Sequence, residues 1–83
     1  MRAKRNPDGS FDYEEIRYRL EQRSGRSFDV VREIDRVVIG RLEIKSATSG
    51  GPVVSALPGA TLPEVVDAIC VLLAEPLGVL PLQ

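Results

Sequence analysis

The sequence predicts a small single domain of α+β or mostly α class, with two N-terminal helices, a possible β-hairpin and an apolar C-terminal helix. Three features carry that prediction. Aliphatic residues recur at helical spacing from Val30 to Val38. Thr61-Leu62-Pro63-Glu64 has the form of a helix-starting capping box. A two-residue alternation runs through Arg41, Leu42, Glu43, Ile44 and Lys45.

Pro7-Asp8-Gly9 is turn chemistry, so residues 1–10 read as a flexible basic arm ahead of a globular part over 11–76. The first helix follows. Asp12 can cap it, Glu15 can reach back, and Phe11 can pack on Ile16 as a hydrophobic staple. Tyr13, Ile16 and Leu20 form its apolar stripe, Glu15 and Arg19 an i,i+4 pair, and Gly25 its end. Ser27 can cap the second helix. On a helical projection Val30, Val31, Ile34, Val37 and Val38 share an arc of about 120°, opposite Asp29, Arg32, Glu33 and Arg36. The five β-branched residues oppose this reading through their restricted side-chain rotation. A continuous strand is disfavoured, because it would set Arg32, Ile34 and Arg36 on one face with Val30 and Val38.

Residues 41–57 admit two readings. In one, Arg41–Lys45 and Val53–Leu57 are the strands of a hairpin around Thr48-Ser49-Gly50-Gly51, with Pro52 at the start of the return strand or on an edge. In the other, the second helix continues to about Lys45 and 46–59 is loop. The last helix should run from Leu62 to about Glu75 and stop at Pro76. Apolar residues cover most of its circumference, and an apolar tail, 77–83, follows.

Composition bounds the function. An apolar content of 43% suits a globular fold. A chain of this length buries only about two-thirds of its unfolded surface, so a partner or a second copy would add needed stability. All eleven Lys and Arg lie between Arg2 and Lys45 with nine of the twelve acids, which leaves residues 46–83 without a base. The charged N-terminus lacks the apolar stretch of a secretory signal, and Val65–Leu82 is interrupted by Asp67, Glu75, Pro76 and Pro81. A cytoplasmic protein with no membrane contact is therefore expected, in keeping with the single Cys70.

The residues offer little chemistry. Without histidine there is no Ser-His-Asp or Cys-His machinery and no imidazole ligand. Cys70 sits among apolar neighbours, where a thiol is ordinarily inert packing. Gly50-Gly51 lacks the lysine and helix of a phosphate loop. Asp29, Glu33 and Asp35 are interleaved with Arg32 and Arg36, as on a solvated salt-bridged face. We therefore expect no enzyme activity, no metal or other cofactor and no small-molecule substrate.

What remains is recognition. A helix apolar nearly all round, followed by Leu77, Val79, Leu80 and Leu82, points to a protein–protein or self-assembly surface. Its expected residues are Val66, Leu73, Leu77, Val79, Leu80 and Leu82, and its partner is another protein or a second copy in a homo-oligomer. The alternative is a helix-turn-helix-like DNA-binding accessory protein. It would use the arm residues Arg2, Lys4 and Arg5 with Arg26, Arg32 and Arg36 of helices within 12–38.

Overall fold

A computed structural model describes residues 3–45 and 53–74. Its order is β1 (Lys4–Arg5), β2 (Ser10–Tyr13), β3 (Ile16–Ser24), β4 (Ser27–Arg32), β5 (Val37–Lys45), β6 (Val53–Ala56) and α1 (Pro63–Ala74). The six strands form one antiparallel sheet in the order β1-β2-β3-β4-β5-β6, curled around a single helix. The two N-terminal helices are thus replaced by strands, and the protein is mainly β rather than helical.

The physical reason lies in the turns. Tyr13 and Ile16 pair across Glu14 and Glu15, which both hold positive φ (52° and 68°), the conformation of a two-residue hairpin turn. That turn splits the stretch expected as the first helix. Beyond it Ile16, Tyr18 and Leu20 alternate with Arg17, Arg19 and Glu21, as in any half-buried strand. The turn through Glu33, Ile34, Asp35 and Arg36 does the same to the expected second helix. The objection to a strand there holds only for one that runs on through Ile34. Because the chain turns, Val30 faces the core while Ile34 sits at the hairpin apex.

Phe11 pairs with Tyr18, Leu20 with Val30, Phe28 with Leu42, and Ile44 with Val54, so one face of the sheet carries the large apolar side chains. Val30 opposes Gly40 while Val31 opposes Val38, leaving Ile39 as the extra residue of a bulge. Bulges raise local twist, which helps the sheet curl over its apolar face. Of the two readings of 41–57, the hairpin holds, with Leu42 opposite Ala56 and Lys45 opposite Val53.

The helix expected over 62–75 spans Pro63–Ala74 and packs on β5 and β6. Its buried residues Val65, Val66 and Ile69 join Phe11, Tyr18, Val30, Ile39 and Leu42 in the core. Gly40 permits this approach: a Cβ there would overlap the Val66 side chain and press on Ala60. The expected capping box does not form, since Thr61 makes no side-chain hydrogen bond among the described residues. The Leu62 carbonyl accepts from the Val65 and Val66 amides, and the Thr61 and Leu62 N–H groups both donate to the Ile39 carbonyl at 2.9 and 3.2 Å. The helix start is therefore tied to the β5 bulge instead of to its own first turn.

Candidate interaction surface

The sheet's convex face is a lattice of ion pairs. Arg17 reaches Asp12 at 3.2 Å, Arg36 reaches Glu21 at 2.9 Å, Arg41 reaches Asp29 at 3.1 Å, and Arg19 bonds Glu33. Arg32, opposite Tyr18 and so on the other face, grips Asp35 at 2.9 Å. The Arg32 guanidinium holds the Asp35 carboxyl below its ordinary value, and Asp35 in turn raises Arg32. Asp29, Glu33 and Asp35 are therefore each taken by a different arginine and share no common site. Val31, buried on this face between Arg19 and Val38, is covered without belonging to the core.

The basic residues of the nucleic-acid reading are dispersed by this architecture. Lys4 and Arg5 form the edge strand β1 opposite Asp12 and Phe11, which places strand pairing inside the expected arm. Arg26 lies at the β3–β4 turn, at the opposite end of the sheet from Arg36 and the end of β4 at Arg32. Arg32 and Arg36 are both bound to carboxylates. Arg2 lies outside the described residues.

The residues of the protein-interface reading divide three ways. Val66 is fully buried in the core and presents no surface. Leu73 is half-buried and packs against the core from the end of α1. Leu77, Val79, Leu80 and Leu82 lie outside the described residues. Sequence reasoning missed Val71, 61% exposed on the far side of the helix, and Val53, 51% exposed on β6. The only signal for Val71 was its place on a helix apolar all round; nothing marked Val53. Cys70 is half-buried, and burial, with a smaller contribution from Asp67, raises its thiol above the ordinary value. It is held as a thiol and not as a nucleophilic thiolate.

A cleft of about 430 Å³ lies along the connection from β6 to α1, lined by Ala56 and Pro58 on one side and Pro63 and Asp67 on the other. Val71 follows Asp67 by one helical turn but does not line this cleft. A second, larger cleft of about 560 Å³ opens at the hairpin ends between Ile16 and Ile34. Ile34 is 87% exposed there beside Ile16, itself 41% exposed, with Asp12, Glu15 and Glu33 around them. No helix among the described residues is long and apolar enough to cross a membrane. Comparison with protein-family models, with curated proteins and with solved structures finds no match for the chain.

Proposed function

We propose that this protein is a non-catalytic self-assembling interaction module whose contact surface is built on the apolar flank of α1. One observation carries the reading: among the described residues, only one side of an apolar helix is covered. Val65, Val66 and Ile69 are buried, while Val71 is 61% exposed and Leu72 and Leu73 are half-buried. Large aliphatic side chains left in water each forgo about 1.5–3 kcal/mol of burial free energy. The residues after Ala74 extend the apolar character, with Leu77, Val79, Leu80 and Leu82 and no charge beyond Glu75. A second copy covering this flank would remove that cost from both chains. The nucleic-acid alternative has less support, since Arg32 and Arg36 are engaged by acids and the remaining cations are spread over separate edges.

Light scattering tests the reading. The full chain should have a molar mass above the 9.1 kDa of one copy, and Val71→Lys should shift it toward one copy with an unchanged circular dichroism spectrum. A full chain that stays at one copy up to ~1 mM would overturn it.

A further inference from the structure

We infer that β6 is an open edge that takes β6 of a second copy, joining two sheets into one through antiparallel backbone pairing. This names the partner and contact of the self-assembly reading above and rests on it.

The ladder fixes which groups are available. The Leu57 N–H donates to the Arg41 carbonyl at 2.9 Å, so Leu57 directs its backbone groups toward β5. In an antiparallel pair that direction alternates residue by residue. Ser55, opposite Glu43, and Val53, opposite Lys45, therefore also face β5. Val54 and Ala56 direct their N–H and C=O groups away from it, and among the described residues these groups have no partner. Ala56 is exposed and Val54 half-buried.

Edge strands of this kind are normally guarded by charge, proline or brevity. The opposite edge has two of these guards: β1 is two residues long, and both are cations. A second copy placed against β1 would set cation against cation. The β6 strand, Val53-Val54-Ser55-Ala56, is the one strand among the described residues without a charged side chain. It is therefore electrostatically compatible with itself. Joining Val54 to Ala56 of the second copy lets both residues of each chain donate and accept. Two Ser55 side chains then meet at a two-fold axis on the convex face, where small side chains permit close approach. The same pairing brings the second copy alongside the start of α1, because Pro63, Val66 and Asp67 line the cleft next to Ala56.

Ala56→Pro tests the edge. Its N–H points away from β5, so proline removes a donor to the second copy without removing a bond to β5. Light scattering from ~1 μM to ~1 mM, with circular dichroism as the folding control, should show wild type at twice 9.1 kDa and Ala56→Pro at one copy. Amide hydrogen exchange of wild type gives a second reading that needs no variant. Val54 and Ala56 should exchange slowly when assembled and at least tenfold faster on dilution. A wild-type dimer that survives Ala56→Pro unchanged, or whose Val54 and Ala56 amides stay fast at high concentration, overturns edge pairing and leaves self-assembly through α1 standing. If Ala56→Pro fails to fold, the exchange result decides alone. A wild-type chain at one copy throughout overturns both.

Discussion

Glu14 and Glu15 turn the chain with positive φ at both positions, a conformation that glycine and asparagine adopt far more readily. Neither glutamate gains an ion pair there among the described residues, so local charge does not offset the strain. The double substitution Glu14→Asn with Glu15→Gly should stabilise the protein by about 1–2 kcal/mol, read as a higher denaturant midpoint at unchanged slope. An unchanged or lower midpoint would show that the glutamates hold the turn in a way their backbone angles do not reveal. Arg36 also adopts positive φ (62°), but its N–H donates to the Arg32 carbonyl at 2.8 Å, and its side chain bonds Glu21. That turn has compensation which the Glu14-Glu15 turn lacks.

Among the elements, α1 depends on where it meets the sheet more than on its own first turn. Gly40→Ala drives a methyl group into Val66 and Ala60 and should cost about 1–3 kcal/mol, as overpacking does. Thr61→Ala removes a hydroxyl that bonds nothing among the described residues and should stay within about 0.5 kcal/mol. Measured together in denaturant, a Thr61 cost equal to or above the Gly40 cost would reverse this account. The sequence made α1 legible because Pro63 and Pro76 bracket an apolar run, and made the β5–β6 hairpin legible because Leu42 and Ile44 alternate with charges. It concealed β2, β3 and β4 because two of their turns, Glu14-Glu15 and Glu33–Arg36, contain no glycine, proline or asparagine, and the glycine of the third, Gly25, reads equally as a helix end. Without a visible turn, the alternation in Ile16–Leu20 and Phe28–Arg32 merged into longer stretches that also fit a helical period. The candidate surface was legible on α1 only as an excess of apolar residues. Its proposed other half, the β6 edge, is made of backbone groups, and only the absence of charge from Val53 to Ala56 marks it in the sequence.

At the scale of the whole molecule, charge and apolar surface are segregated. The convex face balances its arginines with acids pair by pair, and exposed ion pairs of that kind contribute about 0–1 kcal/mol each. They keep the face hydrated more than they hold the fold. The fold is held by the apolar concave face with α1 against it, and exposed aliphatic side chains remain both at the hairpin ends, in Ile16, Ile34, Val37 and Val38, and on β6 and α1, in Val53 and Val71. The strand order also sets the order of events in time. Every strand pairs with its neighbour in the chain, so the sheet can grow hairpin by hairpin with little loop-closure entropy at each step. Only α1 must reach back past β6 to the Ile39 carbonyl. Docking of the helix should then follow the rate-limiting step. Under monomeric conditions, Gly40→Ala should speed unfolding while leaving the refolding rate nearly unchanged, a transition-state index near zero in stopped-flow kinetics. A refolding rate that falls in proportion to the lost stability would instead make the helix part of the nucleus around which the strands assemble.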